Sequence, residues 1–388
     1  MKVAIVTESF LPQTNGVVHS VLRVLDHLAE REIEAKVIAP HDPAGQPAYV
    51  RGAEVVTIPS WAFPGYPEVR VATGRNEQVE RTLTAFRPDV VHLASPYVLG
   101  WRGVRAANAL GIPSVAIYQT DVPAFASRYG LPWAHRLLSS RVRDIHAAAT
   151  LNLAPSTASM EVLSKLGVEH VKLWRRGVDC ARFHPHRRDH TLRAGLAPHG
   201  EKLVGFVGRL AREKQVHDLA ALRALPGIQL VIVGDGPERP RLQRLMPEAH
   251  FTGMLHGTEL ATVMASLDVL VHPGESETFC QVIQEALASA VPVVSVQVGG
   301  PTDLVDHSRT GWLYPRGDLA TMVDRVRDLA GDESKRQAFG RAARGSVVHR
   351  SWRSITNELI GHYSSAIESR GLTSAPREGC WPAPSVAP

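Results

Sequence analysis

Leu203-Val-Gly-Phe-Val-Gly208-Arg209-Leu-Ala-Arg-Glu-Lys214 opens on a short apolar run, breaks at a glycine, and carries Arg209 and Lys214 five positions apart just beyond the break. A short apolar run bounded by turn residues reads as a strand buried on both faces of a parallel sheet. The same unit recurs outward from it. Leu230–Val233, Val269–Val271 and Val293–Val296 follow, with helical patterns between them. Upstream, a loop rich in Arg, His and Pro runs from Arg175 to His190 and reads as an interdomain linker. Before it stands an earlier series: Val3–Val6, Ala35–Ile38, Val90–Leu93, Val115–Tyr118 and a late strand at Leu151-Asn152-Leu153. Two successive β-α series imply an α/β chain with two parallel sheets, each covered by helices. The expected divisions are a first domain over 1–172, a second over 173–350, a closing helix over 351–370 that packs back towards the first domain, and a disordered Pro-, Ser- and Ala-rich tail over 371–388.

A length of 388 residues suits two such domains rather than one core. The net charge of +5 is modest and comes with no nucleic-acid motif, so nucleic acid is not an expected partner. Cys180, Cys280 and Cys380 are too far apart for a metal cluster or a disulfide framework, and no Asp-x-Asp pair suggests a bound divalent ion. No apolar run approaches the ~20 residues that span a bilayer. The apolar stretch after Met1-Lys2 breaks at Glu8 and reads as a strand rather than a leader, so a cytoplasmic protein is expected.

Three constellations lie at strand ends, where open α/β sheets bind ligands. Asn15-Gly16-Val17-Val18 precedes an amphipathic helix over about Val17–Ala29. Gly16 allows close backbone approach, and the helix N-terminus suits a phosphate; an ordinary turn glycine is the other reading. Arg209 and Lys214 can grip a diphosphate, or form a solvated basic loop. Glu277-x7-Glu285 follows the strand Val269–Val271, with Glu277 expected near a helix start and Glu285 about two turns inside. Carboxylates there accept hydrogen bonds from sugar hydroxyls, or complement the helix dipole. Gly234-Asp235-Gly236-Pro237 lacks the third glycine of a dinucleotide fingerprint, position 239 being Arg, which argues against a nicotinamide cofactor. Gly299-Gly300-Pro301 reads either as a turn or as a ligand contact, and His272 reads as structural.

Taken together, Glu8-Ser-Phe-Leu-Pro-x-x-Asn15-Gly16-Val17, Arg176-Gly177-Val178-Asp179 with Phe183-x-Pro185, Gly208-Arg209-Leu-x-x-Glu-Lys214 and Glu277-x7-Glu285 resemble the retaining glycosyltransferases of family 4 with the GT-B fold, two Rossmann-like domains facing each other across a cleft. The resemblance covers roughly Met1 to Tyr363. Tyr118-Gln119-Thr120-Asp121-Val122-Pro123 and Pro64-Gly-Tyr-Pro67-Glu68 look most like the actinobacterial GDP-mannose-dependent α-mannosyltransferases; glucosyl- and sulfoquinovosyltransferases of lipids look similar.

The resemblance implies that Asn15 and Gly16 meet the donor diphosphate, that Arg209 and Lys214 neutralise it, and that Glu277 meets the transferred sugar. It also implies that Glu285 meets the ribose, and that backbone at Phe279, Cys280 and Gln281 faces sugar and phosphate. Gln119 stands where many members have His; it can position a sugar but carries no proton at neutral pH. Thr278 and Cys280 replace the family's usual glycines. No cofactor is required beyond the nucleotide-sugar donor, and no metal. The implied reaction is hexosyl transfer with retention, in which the departing phosphate takes the acceptor's proton, although a covalent route through a carboxylate is open on chemistry alone.

A lipid-linked acceptor is expected. Trp61-Ala-Phe-Pro-Gly-Tyr66 reads as an exposed aromatic loop. Arg128, Arg136, Arg141 and Arg143 alternate with Trp133, Leu137 and Leu138, a mixture that suits an anionic membrane on the inner face of the plasma membrane, or an ordinary surface helix. Asp121 joins the acceptor-side candidates. The competing functions are a sugar-nucleotide isomerase or hydrolase on the same plan, a binding protein without turnover and, more distantly, a dehydrogenase.

Overall fold

Lys2–Thr7 lies at the centre of an eight-stranded sheet, paired in parallel with Glu34–Pro40 on one side and Val90–Ala94 on the other. The computed structural model describes residues 1–63, 66–74, 76–123 and 135–373, with backbone alone for 66–69 and 371–373. In space the sheet runs Val171–Leu173, Leu151–Ala154, Ser114–Ile117, Val90–Ala94, Lys2–Thr7, Glu34–Pro40, Ala53–Ile58 and Tyr49–Val50. Every pair is parallel except the last. Alternation along the strand feeds two cores, because successive side chains point to opposite faces. Val3 and Ile5 pack with Val21, Leu25 and Leu28 of the helix Gly16–Glu30, while Ala4 and Val6 pack with Leu83, Leu99 and Val104 on the other face.

The second sheet repeats the plan in the order His250–Gly253, Ile228–Val233, Lys202–Val207, Val269–His272, Val293–Val296 and Gly311–Tyr314, all parallel. Leu203 and Val207 belong to one core, Val204 and Phe206 to the other.

The last helix, Trp352–Thr373, follows the second sheet in sequence but packs on the first. Ile355, Leu359, Tyr363 and Ala366, spaced along one helical face, fill the core beneath Gly16–Glu30. Tyr363 Oη lies 2.6 Å from His92 Nδ1, and Trp174 Nε1 donates to the Ile355 carbonyl at 2.9 Å. The chain therefore crosses between the sheets twice, and the crossings touch. Val178 N donates to the Arg350 carbonyl at 2.9 Å, and a Cβ on Gly177 would stand 2.5 Å from the Trp352 Cα. Only glycine fits there.

Two expectations are corrected. Of the stretch from Trp61 to Tyr66, read as a loop, Trp61–Phe63 lies in the strand Ser60–Phe63, which pairs antiparallel with Tyr66–Ala72, and residues 64 and 65 lie outside the described residues. The helix after Glu277 begins only at Gln281 and ends at Ala288, so Glu277 sits in the preceding loop and Glu285 little more than one turn inside. The loop expected from 175 to 190 is well anchored: it holds the buried Arg176 and a single helical turn at Pro185–Arg187, and runs into the helix His190–Leu196. Residues 374–388 lie outside the described residues. Among those described, no helix is long and apolar enough to cross a membrane.

Candidate active site between the two sheets

Asn15 Oδ1 caps the first helix, accepting from Val17 N at 3.0 Å and Val18 N at 3.1 Å, and its Nδ2 donates to Ser9 Oγ at 2.8 Å. An extended backbone at Asn15 sets this geometry. Both ends of this exposed side chain therefore engage neighbouring groups of the same loop and helix start. Gly16 lies close against a neighbour: a Cβ would stand 2.8 Å from Arg176 Nη1, which donates to the Gly16 carbonyl at 2.9 Å, and would push that guanidinium aside.

Gln119 follows the strand Ser114–Ile117 and is buried; its Oε1 accepts from Arg176 Nη2 at 2.8 Å, and its carbonyl accepts from Thr278 Oγ1 at 2.8 Å. Thr278 belongs to the second domain, and its own carbonyl accepts from Ser159 Oγ of the first at 3.2 Å. Thr278 thus stitches the two lips together twice. A second clasp joins Thr157 N to Asp303 Oδ2 at 2.8 Å. Asp121 is half-buried beside Tyr118, whose hydroxyl is pushed well above its ordinary pKa by burial and by that carboxylate.

On the second lip, Arg209 is exposed and its Nη2 lies 2.5 Å from Glu213 Oε1. Lys214 Nζ lies 2.5 Å from Glu277 Oε1, and His272 Nε2 lies 3.1 Å from the same oxygen. Burial alone would raise the Glu277 carboxyl, but the charge of Lys214 and the contacts of His272 outweigh it and hold it far below the usual carboxylate range. Lys214 is likewise opposed by burial and carried the other way by Glu277, so its pKa is raised. His272, expected to be structural, stacks on Phe206 with ring planes 13° apart while also reaching Glu277.

Cys280 adopts φ +76 at the head of the helix Gln281–Ala288, so the left-handed backbone usual for glycine is kept with a buried side chain. The Phe279 side chain is packed in the core. Gln281 Nε2 donates to the Gly177 carbonyl at 3.0 Å, tying the helix to the chain crossing. Gly300 N donates to the Glu277 carbonyl at 2.8 Å, so the Gly299-Gly300 turn buttresses the acidic loop.

Burial raises the Glu285 carboxyl to about 8, opposed by Arg182 and Arg23 and reinforced by Asp179. Arg23 comes from the first domain and bridges to Asp179 at 3.3 Å.

His272, Glu277 and Cys280 offer potential ligand atoms within 4.8 Å of one another. The Lys214 ammonium already occupies the Glu277 oxygen, and burial with the charge of Glu277 keeps the Cys280 thiol well above its ordinary pKa, so the set suits an ammonium better than a metal ion.

The proposed acceptor-side residues are scattered over the surface. Trp61 is exposed on the hairpin, Arg136 and Leu137 are exposed at the start of His135–Ala148, and Arg141 stacks over Trp101 at 4.8 Å. Arg143 pairs with Asp144 at 2.9 Å. Arg128 and the side chain of Tyr66 lie outside the described residues. Sequence reading missed Arg176, His272 and Thr278 as site residues. Arg176 alone left a signal, standing first in the Arg176-Gly177-Val178-Asp179 turn.

Residues 14–182 match the family described as Glycosyltransferase Family 4, and residues 188–346 match Glycosyl transferases group 1. A protein of Mycobacterium tuberculosis named GDP-mannose-dependent alpha-mannosyltransferase is 49% identical over 97% of this chain and 99% of its own length. One of the same name from Corynebacterium glutamicum is 44% identical over 95% of this chain and 89% of its own. A sulfoquinovosyl transferase of Arabidopsis thaliana is 35% identical over 88% of this chain and 69% of its own. Among solved structures, Anabaena HepE in complex with UDP superposes with a TM-score of 0.79 at 20% identity, covering 94% of this chain and 100% of that one, a likeness of fold. With two Rossmann-like sheets meeting at a charged cleft and near-complete kinship to these proteins, the chain belongs to glycosyltransferase family 4 and is a GT-B glycosyltransferase.

Proposed function

We propose that this enzyme moves mannose from GDP-mannose, with retention of anomeric configuration, to a glycolipid or other lipid-linked acceptor. The observation that carries the reading is 49% identity over nearly the whole chain to a relative named for that donor and reaction. The division of labour is an acceptor side over 1–172 and a nucleotide-sugar side over 173–350.

Departure of the nucleotide leaves charge on the diphosphate, and stabilising it is the main electrostatic task. Arg209 and Lys214 are its cations. In the structure they are paired with Glu213 and Glu277. A diphosphate would share the cations with these carboxylates, and Glu277 would turn towards sugar hydroxyls. Glu285 would meet the ribose, and backbone at Phe279, Cys280 and Gln281 the sugar and phosphate. The leaving phosphate takes the proton of the attacking hydroxyl, so no protein nucleophile is required. Closure of the cleft excludes water.

No divalent ion is needed on this reading, so chelation should leave the rate unchanged. The enzyme would work in the cytoplasm, lying on the inner face of the plasma membrane through the basic and apolar residues near Arg136, Leu137 and Arg141.

A panel of labelled nucleotide sugars offered with a membrane extract tests the reading: label should enter lipid from GDP-mannose. Transfer only from a glucose or sulfoquinovose donor would favour the second reading, a lipid glucosyl- or sulfoquinovosyltransferase, which the 35% identical plant relative supports. Donor turnover without any acceptor would favour an isomerase or hydrolase. Sedimentation with anionic liposomes should weaken when Arg136 and Arg141 are both changed to Glu; equal sedimentation removes the membrane contact.

A further inference from the structure

Arg176 sits where the chain crosses between the domains, and it is buried. Its carbonyl accepts from Gln284 Nε2 of the second domain at 2.9 Å. Its guanidinium reaches the first domain, with Nη1 on the Gly16 carbonyl at 2.9 Å and Nη2 on Gln119 Oε1 at 2.8 Å. Both acceptors are neutral. Burial lowers its pKa to about 10, eased by the charge of Glu277, so it remains a cation at neutral pH.

A guanidinium has only donors, so the Gln119 amide meets it through oxygen and through nothing else. The orientation of that amide is therefore set by chemistry. Gln119 Nε2, with two N–H donors, is turned away from Arg176 and buried, and has no hydrogen-bond partner among the described residues. The Gln119 backbone cannot swing to relieve this, because its carbonyl is held by Thr278 Oγ1, next in sequence to Glu277. A buried amide nitrogen without an acceptor costs free energy and needs a reason.

We infer that Arg176 is a positioning residue that locks the Gln119 amide with its nitrogen presented to the bound sugar nucleotide, making Gln119 a dedicated hydrogen-bond donor to a hexose hydroxyl or phosphate oxygen. The inference rests on the transfer reaction proposed above. Arg176 itself touches no substrate; it acts through Gln119. The lock draws on both domains, since the Arg176 main chain is held by the second and its side chain by the first.

The test is a double-mutant cycle in the full-length protein, read as kcat and KM for GDP-mannose with the melting temperature as a control for folding. Gln119→Leu removes the amide and should lower kcat/KM by about tenfold, the scale of one hydrogen bond to a polar or charged group. Arg176→Met should cost a similar factor in the wild-type background but less than about twofold on top of Gln119→Leu, because its effect passes through that amide. Arg176→Lys, also a pure donor, should restore most of the loss. Equal losses from Arg176→Met in both backgrounds, or a Gln119→Leu enzyme with wild-type kcat/KM, would overturn the inference. Should Arg176→Met fail to fold, Arg176→Lys takes its place in the cycle. Lys should then cost little alone and nothing more beside Gln119→Leu, and a large loss in both backgrounds counts against it. If the wild type transfers sugar from no nucleotide donor, the proposed function has failed before any variant is made, and this inference falls with it.

Discussion

The loop around Glu277 and the helical turn around Glu285 belong to one short segment, yet they hold the same side chain in opposite states. At Glu277, an ammonium at 2.5 Å and an imidazole at 3.1 Å share one oxygen and overcome the cost of burial, so the carboxylate is fixed as an anion. At Glu285 burial dominates. Two arginines are near, but both turn to Asp179, at 3.3 Å from Arg23 and 3.7 Å from Arg182, and the Glu285 carboxyl rises to about 8. A buried carboxyl keeps its charge where a touching cation or donated hydrogen bonds outweigh the cost of burial. One end of the segment thus offers fixed charge beside Lys214, while the other offers a neutral acid able to donate as well as accept a hydrogen bond.

The largest expected effect comes from removing the cation that makes the difference. Lys214→Ala should cut kcat at least about 100-fold, on the scale of losing one electrostatic stabiliser of the transition state. It should also cost about 3 kcal/mol in a denaturant melt, because Glu277 is left buried without its partner. Near wild-type transfer in this variant would remove Lys214 from the mechanism.

Glu285→Gln should act mainly on pH dependence. The folded pKa of about 8 lies above the ordinary value of 4.5, so protonated Glu285 favours the fold. That contribution is complete below pH 4.5 and is lost as pH rises through about 8. Glutamine does not titrate. The variant should therefore gain on the wild type between pH 5 and pH 9, by about 2–4 °C in melting temperature for each 1 kcal/mol. A difference that stays constant with pH would mean that Glu285 ionises normally.

The smallest effect belongs to His272→Phe, which keeps a ring against Phe206 and loses only the contact with Glu277. The depressed Glu277 pKa contributes stability that is present above pH 4.5 and lost as pH falls through the folded value. Easing the depression should bring acid unfolding to a higher pH, by under about one pH unit. An unmoved acid limb would leave Lys214 as the sole cause of the contrast.

Strands were legible in the sequence where they are buried on both faces. Val90–Ala94 and Val293–Val296 are apolar but for His92 and Ser295, and every residue in them is buried. The edge strands Tyr49–Val50 and Val171–Leu173 are only two and three residues long and largely exposed or half-buried, so their sequence lacks a run or a clean alternation. The motif residues were legible for a similar reason: Gly208-Arg209, Lys214 and Glu277 stand directly after such strands. Glu285 was placed too deep in its helix because the left-handed turn at Cys280 delays the helix start, and a residue with a side chain gives no warning of that turn.

The amino-acid sequence by itself determined the two β-α series and the strand ends that carry charge, because burial on both faces of a strand and a break at its end are local properties of the chain. Tertiary structure alone decided which groups meet. Arg176 touches residues 57 and 160 positions away, and Lys214 finds its carboxylate 63 positions downstream. Those contacts set which acid is charged and which way an amide faces. They depend on distances of a few ångströms between segments whose local sequences carry no record of one another.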